Sequence, residues 1–152
     1  MTLASAQVVD AIATRITGLS LAGSRIYTSR LWPIPSTGMP AGRVLAVDED
    51  IEPSTVHRPA ALKHALQIEL HGIVHEVENV DDQMHALAAQ WLTALFNAPG
   101  MPDALSALTK VIVSLRRIER QTQTEGQATL GVIVITLRAE FHTRSNAPET
   151  II

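Results

Sequence analysis

The sequence predicts an α+β fold: a mainly antiparallel β-sheet, two helices packed on one face, and a long C-terminal β-hairpin. Three stretches predict it. Across 62–70 the even positions Leu62, Leu66, Ile68 and Leu70 are aliphatic, with His64 the exception, while Lys63, Gln67, Glu69 and His71 are polar. Period-two alternation puts the aliphatic residues on one face of a half-buried strand. Met84, Leu87, Ala88, Trp91, Leu92 and Leu95 then recur at helical spacing behind Asn79, Asp81 and Asp82, which suit a helix N-terminus. Last, the runs 111–121 and 129–142 flank Gln123-Thr124-Glu125-Gly126, a stretch with no apolar residue. They predict two long strands joined by a turn.

The remaining elements follow in chain order. Thr2 or Ser5 can cap a first helix whose stripe is Val9, Ile12, Ala13 and Ile16, with Gly18 as its stop. Arg25-Ile26-Tyr27 reads as a short strand. Between 31 and 40, Trp32-Pro33-Ile34-Pro35 and Gly38-Met39-Pro40 exclude helix and central strand. Trp32 suits a binding hot spot, although a loop pinned to its own core by one aromatic is the stronger reading. Arg43 to Val47 forms a second strand, and Asp48-Glu49-Asp50 with Glu52 follows as an acidic loop. The alternation of the third strand blurs at Gly72-Ile73-Val74, which marks a bulge or a change of burial. The second helix ends near Asn97, before Pro99-Gly100. Residues 101–108 are ambiguous, with Asp103 able to cap a helical turn. Residues 145–152 lack periodicity and read as a tail that orders only on a partner.

Length and composition narrow the possibilities. The 152 residues suit a single domain with a core of useful size. Aromatic residues make up only 3%, so that core is aliphatic. There is no cysteine, which removes thiol nucleophiles, disulfides and cysteine metal sites. A net charge of −3 gives no electrostatic drive toward nucleic acid. The start MTLASAQVVD lacks signal-peptide features, and no apolar run nears the roughly 18–20 residues of a membrane span.

The candidate chemistry is thin. His71 and His75 share a strand face yet lie roughly 13 Å apart at about 3.3 Å per residue, too far to share one metal. His64 faces the other way, and His85 sits on the outer side of the second helix. Scattered surface histidines explain this set better than a metal site. The acidic group Asp48, Glu49, Asp50 and Glu52 resembles an oxygen-rich cation site only in composition. Its spacing matches no calcium loop, and a solvated loop is the better reading. A Ser-His-Asp set is compatible with the composition, but no nucleophile elbow and no phosphate-cradling glycine motif occurs. Arg116, Arg117 and Arg120 form the one basic cluster. Regular alternation turns Arg116 and Arg120 one way and Arg117 the other. The cluster suits either a charge pairing with the acidic segment of a neighbouring copy or a solubilising, edge-protecting strand. No cofactor or metal is expected.

The order and spacing of several segments carry a resemblance. These are Ile12-Ala13-Thr14-Arg15, Gly23-Ser24-Arg25-Ile26-Tyr27, Trp32-Pro33-Ile34-Pro35 and 45–55 ending Asp50-Ile51-Glu52-Pro53-Ser54-Thr55. Leu66-Gln67-Ile68-Glu69-Leu70-His71-Gly72, Asp81-Asp82 with the helix behind it, the strand 131–141 and the short polar tail complete the set. Across about 11–144 the chain resembles the tail-terminator family, the minor tail proteins of lambda-like, long-tailed siphophages. The resemblance implies a non-enzymatic virion protein, made in the host cytoplasm. It implies a homohexameric ring on the head-proximal end of the tail tube, contacting the tube protein on one side. The other side meets the neck or head-completion protein, and DNA passes through the lumen without specific binding. No membrane partner is expected. The family has no diagnostic chemical residue, so no residue role transfers. Interaction candidates rest on the residues alone: Trp32, Asp48, Glu49, Asp50, Glu52, Arg116, Arg117 and Arg120. A neck or head-completion (head–tail connector) protein is the neighbouring alternative. A small enzyme or ligand-binding domain is the alternative of a different class.

Overall fold

The computed structural model describes residues 3–28, 40–76, 79–96, 110–125 and 128–152. Trp32 and the ambiguous segment 101–108 lie outside them. The elements run α1 (Ala4–Ile16), β1 (Ile26–Tyr27), β2 (Ala41–Pro53), β3 (Ala61–Glu76), α2 (Val80–Phe96), β4 (Ile112–Glu125) and β5 (Ala128–Arg144). The strands form one sheet in the order β1-β2-β3-β5-β4. Only the β1–β2 pair is parallel, and the other three pairs are antiparallel. The α+β expectation holds.

Alternation builds the central pair. In β3, His64, Leu66, Ile68 and Leu70 turn inward, and their partners Phe141, Ala139, Leu137 and Ile135 in β5 turn the same way. Both helices cover this face. Helix α1 contributes Val8, Ile12 and Ile16 to the core, and α2 contributes Met84, Leu87 and Trp91, all with essentially no exposed surface. Burying a side chain of this kind is worth about 1.5–3 kcal/mol.

The blur at Gly72-Ile73-Val74 is a change of burial. The β3–β5 register runs without a shift from Ala61↔Arg144 to Glu76↔Thr129. Gly72 lies beneath α2, where an added Cβ would sit 2.8 Å from Leu87 and from Ile133. Ile73 points the other way, into a small second cluster with Ala41, Tyr27, Leu130 and Val132. Both faces are therefore apolar at this end of the sheet, and the alternation disappears.

Four expectations are corrected. The acidic segment is a strand: β2 runs on to Pro53, with Asp48 opposite Gln67, Asp50 opposite Ala65 and Glu52 opposite Lys63. Asp and Glu are poor strand formers, but the β3 partner supplies a full ladder, and the residues at 46–53 are exposed, so little charge is desolvated. The stretch Gln123-Thr124-Glu125 is likewise strand, paired as far as Glu125↔Ala128. Ser5 does not cap α1. Leu3 occupies the cap without a side-chain bond, and the Ala4 N–H donates to the Pro148 carbonyl at 3.1 Å. That carbonyl belongs to the segment read as a tail. Residues 145–152 fold back: Ser145 N–H reaches the Ala60 carbonyl, Ile152 N–H reaches the His142 carbonyl, and Ile151 packs on the core.

Candidate assembly surface

Two register shifts decide where the candidate residues point. The first falls at Val47, between Ala46 and Asp48 in β2. Before it, Val44 shares the helix-covered face; after it, Glu49 and Ile51 do. Asp48, Asp50 and Glu52 fall on the open face. The second shift falls at Arg116, between Leu115 and Arg117 in β4. Each bulge inserts one residue and bends its strand.

The bulge at Arg116 overturns the expected split of the arginines. Arg117 lies opposite Thr136 on the open face, and Arg116 joins it there, beside Gln67 and Thr136. Arg120 lies opposite Ile133 on the helix side, where its Nε donates to His85 Nε2 at 3.0 Å. Arg117 pairs with Glu119 of its own strand at 2.7 Å.

The open face carries a groove of about 230 Å³ that brings acidic and basic candidates together. Asp48 and Asp50 line it with Arg116 and Arg138. Among the described residues no ion pair joins the two groups. Arg138 and Lys63 instead approach Glu140, at 3.0 and 4.0 Å. His71 is 3.7 Å from Glu69 on the same face. No group of three or more metal-binding side chains occurs among the described residues.

His64 overturns the picture of scattered surface histidines. It is buried, with its ring stacked on Phe141 at 4.7 Å between centroids and 9° between planes. Its Nδ1 lies 2.7 Å from Glu49 Oε1, and its Nε2 lies 2.7 Å from Thr143 Oγ1. With the proton on Nδ1, the ring donates to the carboxylate and accepts from the hydroxyl. Hydroxyl, imidazole and carboxylate stand in the order of a nucleophilic triad. Thr143 has no exposed surface, however, so its oxygen has no access to a substrate. What the arrangement does is tie β2 to β3 and β5 at the root of the acidic segment. Sequence reasoning missed it, although one signal was present: His64 occupies an inward position in the Leu62–Leu66–Ile68–Leu70 series.

Trp32 lies outside the described residues. No family model and no curated protein matches the chain. Among solved structures, a chain of the "Virion of native gene transfer agent (GTA) particle" is similar over 91% of this chain and 95% of that one, at 16% identity and a TM-score of 0.43. A likeness of that size bears on neither fold nor role.

Proposed function

We propose that the protein is a structural virion component, a tail terminator. It caps the head-proximal end of a phage tail tube as a hexameric ring, stops tube polymerisation, and presents the docking surface for the neck or head-completion protein. The observation that carries this reading is a pair of strand edges on one chain that are open among the described residues. β4 is an edge over its 14 residues. Among the described residues, β1 covers β2 only at Gly42 and Arg43. Unpaired edges of this length invite another chain, and a ring gives each edge a neighbour. The near full-length resemblance of the sequence to tail terminators supports the same reading. In this reading the protein acts by occupancy, and the triad-like arrangement found among the described residues, with its hydroxyl sealed, serves as a clamp. Its negative net charge suits a conduit that DNA traverses without being gripped.

A phage lacking the protein tests this. The expected result is overlong tubes beside filled, tailless heads, with joining restored by added wild-type protein. Tails of normal length joined to heads would refute it. Capped tails of normal length beside leaky, empty heads would assign the protein to the neck instead.

A further inference from the structure

We propose that the acidic outer half of β2 in one copy seats against the basic start of β4 in the next copy, head to tail. The occupant of each open edge is thus a second copy of this chain. The proposal deepens the ring reading and rests on it only for closure of the ring.

Exposed apolar surface points to these edges. Of the six large apolar side chains exposed among the described residues, Val47 and Ile51 lie on β2 and Ile112 and Leu115 lie on β4. The remaining two are elsewhere, so the edges hold most of this surface. The register also places the two patches level with each other. Following the ladder across the sheet, Asp50 lies opposite Ala65, Ala65 opposite Glu140, and Glu140 opposite Ile112. Asp48 reaches Ser114 in the same way through Gln67 and Arg138. A neighbour rotated about an axis roughly along the strands therefore sets Asp50 beside Ile112 and Asp48 beside Ser114, with Arg116 and Arg117 next along the edge, level with Ala46 and Leu45. Strand direction agrees. β2, β3, β5 and β4 alternate in direction, so β4 of one copy runs antiparallel to β2 of the next, the arrangement that hairpin sheets continue.

Charge selects the head-to-tail contact. The outer half of β2 holds Asp48, Glu49, Asp50 and Glu52 and no basic residue. Glu49 is engaged by His64, which leaves three carboxylates outward. The start of β4 presents Arg116 and Arg117 and no acidic residue; Glu119, paired with Arg117, and Glu125 come later in the strand, and Arg120 is held by His85. A two-fold contact of β2 with β2 sets carboxylates against carboxylates, and one of β4 with β4 sets arginines against arginines. Like charges opposed across strands are unfavourable. Only the heterologous contact, the kind that generates rings or filaments, removes both conflicts.

The absence of cysteine makes the test clean. Glu52→Cys and Ile112→Cys replace exposed side chains on the same open face, and a size tag on one protein separates like from unlike pairs. The two purified variants are mixed and treated with a flexible bis-maleimide, which tolerates small register differences. Unlike pairs should exceed like pairs by about tenfold. Arg116→Glu with Arg117→Glu in the Ile112→Cys protein should abolish that excess. Asp48→Lys with Asp50→Lys in its partner should then restore it, which also shows that both reversed proteins are folded. Predominant like pairs, no cross-linking, or no restoration would overturn the proposal. A failure here with the overlong-tail phenotype intact removes the edge assignment and leaves the terminator function standing.

Discussion

The indole of Trp91 stands where a side chain on Gly42 would project: a Cβ there would lie 2.6 Å from Trp91 Cη2 and 2.7 Å from Cζ2. The bare backbone of β2 is what lets α2 sit this close to the sheet. Gly42→Ala should cost about 1–3 kcal/mol through overpacking, and Trp91→Ala about 3–5 kcal/mol through the cavity. The two changes should not add. In the double variant the new methyl enters space that the indole has left, although Ile26 Cδ1 at 2.9 Å keeps part of the cost. Urea unfolding of the four proteins should give a coupling of about 1 kcal/mol or more. Additivity within about 0.5 kcal/mol would show that this contact does not set the spacing.

The same helix rests on two further glycines, and the neighbours differ in stiffness. A Cβ on Gly72 would meet Ile133 Cγ2 and Leu87 Cδ2, each at 2.8 Å, with Trp91 behind them at 3.3 Å. A Cβ on Gly131 would meet Met84 Sδ at 2.8 Å. A thioether chain has three rotatable bonds and yields more readily than a β-branched isoleucine. Gly131→Ala should therefore lower the melting temperature less than Gly72→Ala. The reverse order would mean that the Val80 and Met84 end of α2 is the rigid one.

These contacts mark what was legible in the sequence. Alternation in β3 and the stripe Met84–Leu87–Trp91–Leu95 gave the central strand, the covering helix and the α+β class, because burial on one face writes itself as period. The bulges at Val47 and Arg116 were not legible. One inserted residue leaves composition unchanged yet moves Arg116 from the side of Arg120 to that of Arg117. The acidic residues looked like a loop because propensity reports the isolated segment, whereas β3 supplies the ladder. Gly72 carried no sign of the indole above it, since that contact comes from a helix some nineteen positions further on. The candidate site was legible as a set of charges, not as two level edges, because the level is fixed by pairing across four strands.

The buried His64 offers a sharp contrast between clamp and catalyst. Thr143→Val keeps the shape and removes the hydroxyl, leaving Nε2 buried without its partner. That should cost about 1–3 kcal/mol of stability. Glu49→Gln should cost less, because Glu49 is partly exposed and the amide oxygen still accepts from Nδ1. Hydrolysis of an activated ester should be the same in wild type and in Thr143→Val. A loss of turnover in the valine protein with unchanged stability would make the arrangement catalytic.

The folded-back C-terminal segment should contribute measurably to stability. It supplies the Pro148 carbonyl to Ala4 N–H, the Glu149 carbonyl to Gln7 Nε2 and the Ile152 N–H to the His142 carbonyl. At roughly 0.5–1.5 kcal/mol for each bond, and with Ile151 leaving the core surface, a chain stopped after Ala147 should lose about 2 kcal/mol or more. Hydrogen exchange should rise first at the start of α1, where the amides lose their acceptor. Unchanged protection there would show that the segment does not cap the helix.

Affinity for DNA should be weak even though DNA is expected to pass close by. Duplex binding grows with the number of phosphates that Lys and Arg neutralise. This chain has 12 such residues against 15 Asp and Glu. Its one basic cluster is also divided. Arg117 is paired with Glu119, Arg120 bonds His85, and Arg116 faces a groove shared with Asp48 and Asp50. Among the described residues no continuous basic track is left to follow a phosphate backbone. Fluorescence anisotropy with a short duplex at physiological salt should give a dissociation constant of about 10⁻⁴ M or weaker. Arg116→Glu should change it little, because a single contact among screened surface charges carries little of the total. Submicromolar binding that falls steeply with salt would contradict the conduit reading and point to a protein that holds DNA.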